Sequence, residues 1–320
     1  MTIGQRTSQL PERSQPHAGR PVPEVAGVAH RYVETRRLGI HIAEAGNGPP
    51  VLLLHGWPQH WYAWRELIPL LADSRRLICP DLRGFGWTDA PADGYRTADL
   101  AADMVALLDA LELDRVDVIG HGEGGRVGFE LCLSQPGRVR RLVTLGAMHP
   151  YPSLRLLAPH AWRFWWTPLV ETSLLGRRVI RHLPAVTRAV LRASAANRAA
   201  LSDAVVEEFV ASVREPARAR ASERLMHEFA YHEMIPAIFG ANRSRRLQVP
   251  TLMLNGERDF YLPARTLGGS GPYADNLRIQ VLPAAGRLLA EERPQAVAAA
   301  ARAFLQGGGI IAHGPDHRPS

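Results

Sequence analysis

The sequence predicts an α/β protein: an eight-stranded, mostly parallel sheet with helices on both faces and a helical insertion late in the chain. Three observations predict it. Short apolar runs alternate with amphipathic helical stretches, as they do when each strand is buried on both faces and separated from the next by a helix. From residue 150 to 240 the alternation stops and only helical patterns remain, about ninety residues inserted between the sixth and seventh strands. The chain has 320 residues of which 46% are hydrophobic, with 28 Gly, 25 Pro and 2 Cys, enough to bury a large core without a disulfide framework.

The elements follow in order. Residues 1–28 are polar, Pro-punctuated and without periodicity, and are expected to form a disordered arm. Strands are expected at 30–35, 40–45, 51–54, 77–79, 116–119, 142–145, 251–254 and 279–282. Helices are expected at 61–71, 98–111, 124–134 and 294–305, where apolar residues recur at spacings of three and four. Residues 29–149 and 241–306 would form the core, 150–240 a helical cap, and 307–320 a Gly-rich flexible tail.

Composition excludes several chemistries. The net charge is +7, and because the sequence contains no Lys, all 38 basic residues are Arg. No lysine Schiff base or phosphate-loop lysine is available. The arginine clusters are interleaved with Glu207, Glu208, Glu215, Glu223 and Glu228, so no nucleic-acid role is expected. No run of 18 apolar residues and no apolar leader is present, so the chain is expected to be cytoplasmic with no membrane partner. Cys79 and Cys132 are expected to be buried, reduced thiols. No metal-ligand spacing occurs and no cofactor is expected.

The most specific segment is GHGEGG at residues 120–125, where an apolar strand runs into a Gly-flanked turn and then a helix. This is the layout of a nucleophile elbow. Three further segments join it: HGWP at 55–58, PDLRGFGWTD at 80–89 and LNGERD at 254–259. With these four motifs in order, residues 30–306 resemble the α/β-hydrolase superfamily, and most closely its epoxide-hydrolase and haloalkane-dehalogenase-like branch.

The resemblance implies a catalytic triad, and two of its three positions depart from it. Gly122 stands where the family carries its nucleophile. In AGRLLAEERP at 285–294, Arg287 stands where the family carries its histidine. A guanidinium donates only and cannot take a proton from water. Asp259, in the position of the triad acid, keeps a usable group, and its pairing with Arg287 is expected to hold it ionised. The resemblance also implies an oxyanion hole from the backbone N–H groups of Trp57 and Glu123. Neither donor needs a side chain, so the hole is expected to survive.

The expected acid–base set is Asp259, Glu123, Arg287 and His149. The Glu123 side chain reads more simply as a solvated helix-start carboxylate, His121 as a satisfied core histidine, and His55 as a brace for the HGWP turn. Expected substrate contacts are His55, Trp57, Tyr151, Trp165, Met226, His227 and Tyr231. Met226 or His227 falls where the branch places a second epoxide-activating tyrosine, and Tyr231 lies about one helical turn away.

Three functions stay open. The leading one is an atypical, non-covalent enzyme of specialised, natural-product-like metabolism, promoting cyclisation, elimination or epimerisation. Its substrate would be apolar or planar, with a carbonyl or anionic group. The others are a ligand-binding protein without catalysis, and a residual epoxide or ester hydrolase using water oriented by Asp259. A homodimer is left open.

Overall fold

The computed structural model describes residues 20–307. Its sheet has eight strands: β1 (Ala29–Glu34), β2 (Gly39–Ala45), β3 (Pro50–Leu54), β4 (Arg76–Pro80), β5 (Val116–His121), β6 (Val139–Leu145), β7 (Thr251–Gly256) and β8 (Leu277–Leu282). The spatial order is β1-β2-β4-β3-β5-β6-β7-β8. Only β2 runs against its neighbours β1 and β4; every other pairing is parallel. Strands β5 and β7 are buried along their whole length, which is why they read as mainly apolar rather than alternating.

Helices cover both faces. In chain order they are α1 (Ile68–Leu71), α2 (Thr97–Ala110), α3 (Glu123–Ser134), α4 (Leu154–Leu157), α5 (Thr167–Glu171), α6 (Leu175–His182), α7 (Pro184–Ser194), α8 (Asp203–Arg214), α9 (Pro216–His227), α10 (Ile235–Ile238), α11 (Leu289–Glu292) and α12 (Pro294–Leu305). One core includes Leu52, Met104, Val118 and Phe129 on one face of the sheet, and a second includes Leu53, Trp64, Ile119 and Val297 on the other. Helices α4 to α10 all fall between β6 and β7, and part of this insertion, including Leu191, Val206 and Phe209, packs on Leu288 and Ala63.

Two expectations are corrected. The stretch 61–71 is not one helix but a 3-10 turn (Trp61–Trp64) followed by α1. Pro69 has no N–H to return to the turn before it, so a continuous helix is broken there. Residues 20–28 of the expected arm lie against the body. The Trp87 indole N–H donates to the Arg20 carbonyl at 2.9 Å, and the Arg20 guanidinium sits 4.2 Å over the Trp87 ring and pairs with Glu208 and Glu215. Residues 1–19 and 308–320, which carry the rest of the arm and tail, lie outside the described residues. Cys79 and Cys132 are both buried and free, as the sequence indicates. Among the described residues no helix is long and apolar enough to cross a membrane.

Candidate functional site

Strand β5 delivers the chain to a tight turn, and close packing dictates its glycines. A Cβ on Gly124 would lie 2.0 Å from the Leu54 carbonyl oxygen, and one on Gly120 would lie 2.4 Å from the Gly124 carbonyl oxygen. Between them Gly122 takes φ 51°, ψ −111° and caps α3. Space above it is open: a Cβ there would meet only Arg287 Nη2 and the Gly56 Cα, both at 3.7 Å.

Above this turn lies a cavity of about 420 Å³, lined by Trp57, Gly122, Glu123, Arg126, Arg287 and mainly apolar residues of the insertion, which also contributes Thr167, Glu171 and Ser194. Its volume suits a small organic ligand. The insertion contributes Trp166, which stacks on Trp57 with centroids 5.6 Å apart and planes 11° from parallel.

Glu123 is not a solvated helix-start carboxylate. Its side chain folds back from the first turn of α3, and Oε2 accepts the Trp57 N–H at 2.7 Å. Burial opposes its ionisation, but Arg126, Arg287 and the N–H groups of Trp57 and of Glu123 itself outweigh that and hold the carboxyl below its usual range. The expected oxyanion hole is therefore not empty. Its Trp57 donor is engaged by this chain's own anion.

Asp259 and Arg287 form a single contact, Nη1 to Oδ2 at 3.5 Å. Asp259 is buried, and its Oδ1 accepts the N–H groups of Tyr261 and Leu262, each at 2.9 Å. Arg287 acts on Asp259 in the expected direction, favouring the carboxylate, but it works against burial. Burial pushes the Asp259 carboxyl above the ordinary value, and the guanidinium and two amides offset that only in part. Asp259 is absent from the cavity wall, whereas Arg287 lines it.

Several other expected residues lie off this cavity. His149 uses both ring nitrogens, Nδ1 accepting the Tyr151 N–H at 3.1 Å and Nε2 donating to the Leu267 carbonyl at 2.9 Å, and burial lowers its pKa. His55 does not touch the cavity; its Nε2 accepts the Leu82 N–H at 2.9 Å and its Nδ1 faces the Gly56 carbonyl at 3.1 Å, so it braces the turn. Burial drives His55 and His121 each down to about 4, and His121 Nε2 is held by the Arg287 carbonyl at 3.2 Å. Tyr151 donates its hydroxyl to the Arg245 carbonyl and stacks on Tyr273, away from this cavity. Trp165 is exposed, and Trp166 takes the place expected of it. His227 bonds the Glu171 carbonyl and lies outside the wall.

Trp57, Met226 and Tyr231 do line the cavity. Tyr231 gets there through a π-helical segment, Glu228–Met234, whose extra residue per turn rotates it relative to a continued α-helix. Arg126 and Tyr261 went unrecognised, and Trp166 was expected only as one of the cluster Trp162, Phe164, Trp165 and Trp166. Arg126 sits one turn after Glu123 on α3, a spacing that could have flagged it, and its guanidinium lies 3.5 Å over the Phe229 ring. Nothing in the pattern separates Trp166 from Trp165.

The chain matches the alpha/beta hydrolase fold family over residues 49–294 and belongs to that family. Among curated relatives it is 40% identical over 135 residues to Epoxide hydrolase 2 of Siraitia grosvenorii, covering 41% of this chain and 43% of that one, so the match spans less than half of that relative. It is 30% identical over 287 residues to Haloalkane dehalogenase 2 of Mycobacterium bovis, covering 88% of this chain and 96% of that one. Among solved structures, a putative acyltransferase from Salmonella enterica superposes with TM-score 0.81 at 27% identity, covering 90% of this chain and 98% of that one.

Proposed function

We propose that this chain is an atypical α/β-hydrolase-fold enzyme that does not use a covalent triad, with Gly122 at the nucleophile position and Arg287 at the histidine position. The insertion acts as a cap over the cavity, and the ligand is a mainly apolar specialised metabolite carrying a carbonyl or anionic group. Glu123 is its proton acceptor and Arg287 the fixed cation beside it.

The observation that carries this reading is the Glu123 carboxylate, anchored on the Trp57 amide and facing the same cavity as Arg287. A carboxylate held below its usual range is a weak base, so it suits only a proton already acidified by adjacent carbonyl groups. Arg287 would hold the negative charge left behind. The work divides simply: Glu123 takes the proton, Arg287 steadies the enolate, and the apolar wall excludes water. Epimerisation, elimination and cyclisation all begin from such a step.

Two other functions are weaker. Water oriented by Asp259 is disfavoured because Asp259 is withdrawn from the cavity behind Arg287. A ligand-binding protein without catalysis has one observation in its favour, since a hole filled by Glu123 cannot also receive a substrate oxyanion.

The test is proton exchange. Incubated in D2O with apolar 1,3-dicarbonyl probes, the protein should wash deuterium into the activated carbon, and Glu123→Gln should slow this by at least about a hundredfold while leaving ligand affinity within a few-fold. Binding without any exchange would favour the non-catalytic function. Rapid turnover of aryl esters or styrene-type epoxides would refute the proposal.

A further inference from the structure

Six of the eleven large apolar side chains exposed among the described residues fall on two short segments: Leu154, Trp162 and Trp165 on one, Tyr231, Ile235 and Phe239 on the other. Trp162 is 62%, Trp165 69% and Phe239 76% exposed. These segments form the mouth of the cavity, since Leu154, Tyr231 and Ile235 are both exposed and part of its wall. A smaller cavity lined by Pro152, Ser153, Ala237 and Arg243 shows the two segments meeting alongside. An apolar rim of this kind marks a docking surface.

Charge narrows the occupant. Residues 150–170 carry Arg155, Arg163 and His160 and no acidic residue; residues 231–246 carry Glu233, which pairs with Arg126, and Arg243, Arg245 and Arg246, of which Arg245 pairs with Glu130 and Arg246 with Asp275. Arg155 and Arg243 are exposed, and neither forms an ion pair among the described residues. Exposed tryptophans beside unpaired guanidinium groups are the composition that settles at a lipid–water boundary over anionic headgroups. A two-fold contact with a second copy would instead bring the unpaired Arg155 and Arg243 of both copies onto one interface and close the mouth.

We infer that this face docks on the surface of an anionic lipid bilayer, so that an apolar ligand passes from the lipid directly into the cavity. The expectation of no membrane partner rested on the absence of a spanning run, and surface docking needs none. The inference is independent of the chemistry assigned to Glu123.

The test is co-sedimentation of the full chain with vesicles of phosphatidylcholine alone or mixed with phosphatidylglycerol at roughly 7:3. Because the net charge of +7 attracts any anionic surface, the decisive comparison keeps charge constant. Trp162→Ala with Trp165→Ala should lower binding to the anionic vesicles at least about tenfold, and Arg155→Gln should lower it several-fold. Ile279→Ser with Val281→Ser, which removes exposed apolar groups on β8, should bind as the wild type does. Equal binding by the double tryptophan variant overturns the inference. So does failure of the wild type to bind anionic vesicles at low salt, or a wild-type dimer in vesicle-free buffer that the tryptophan variant converts to monomer.

Discussion

Replacing Arg287 by Met separates the structural from the chemical role of the cation. Breaking a fully buried ion pair costs about 3–5 kcal/mol. Here the contact is single and 3.5 Å long, the Arg287 side chain is 21% exposed, and Asp259 keeps its two amide donors. The expected loss is therefore smaller, about 1–2 kcal/mol at neutral pH, or about 2–4 °C in melting temperature. The loss should depend on pH with a definite sign. Burial raises the Asp259 pKa in the folded protein, so the folded state binds this proton more tightly than the unfolded chain. Stability from such a group is full below the unfolded carboxyl value and falls as pH rises through the folded one.

Removing Arg287 raises that folded value further, so the deficit should be near zero below about pH 4 and widen as pH rises above it. Relief of His121, whose pKa Arg287 helps to depress, works in the same direction. Urea midpoints of variant and wild type, compared from about pH 4 to about pH 7.5 at matched slope, read the difference. A deficit of equal size at both ends would mean that lost packing dominates. No deficit at pH 7.5 would refute the claim that Arg287 compensates Asp259, and Asp259→Asn in the Arg287→Met background should recover most of the loss.

Two further outcomes follow from the same geometry. Gly122→Asp with Arg287→His has room at the elbow, at a backbone cost of about 1 kcal/mol for the positive φ, but should hydrolyse reactive esters poorly while Glu123 occupies the Trp57 amide. Adding Glu123→Ala frees that donor and should raise the rate about a hundredfold; a triple variant no faster than the double would show that the amide is not part of the site. Because burial holds His55 and His121 each at about 4, the unfolded chain takes protons near pH 6.5 that the folded one refuses. Stability should be full above about pH 6.5 and fall as pH drops toward 4, by up to about 1.4 kcal/mol per pH unit for each histidine, and His121→Asn should remove one such contribution.

The sheet was legible because its central strands are buried on both faces and each is bounded by turn residues, so every expected strand lies within or one residue beyond an observed one. The site was legible only where the backbone alone decides, as at Gly122 and Gly124. Glu123 was misread because a helix-start glutamate ordinarily points to solvent, and the Trp57 amide that turns it inward lies on the third strand's turn, 66 residues earlier. Tyr231 depended on a π-helical turn that leaves no periodic signature, and the choice between Trp165 and Trp166 depended on packing against Trp57. Arg20 could not be placed from composition, because its partners Glu208, Ser212 and Glu215 come from the distant α8 and its flank.

Glu123 also shows why glycine at the elbow need not leave a defect. An elbow without a side chain would bury the Trp57 N–H with no partner, at a cost of about 1–3 kcal/mol. A carboxylate one residue later, at the N-terminus of α3, meets that amide with its own two methylenes and gains from the helix dipole. The same group is thus both a structural acceptor and the site's candidate base, and a single substitution confounds the two roles. Glu123→Gln keeps an oxygen for the Trp57 amide and removes the base, whereas Glu123→Ala removes both. If the carboxylate is chemical, exchange should vanish in both variants while only Ala costs about 1–2 kcal/mol of stability; if it is purely an acceptor, Gln should behave as the wild type in every measurement.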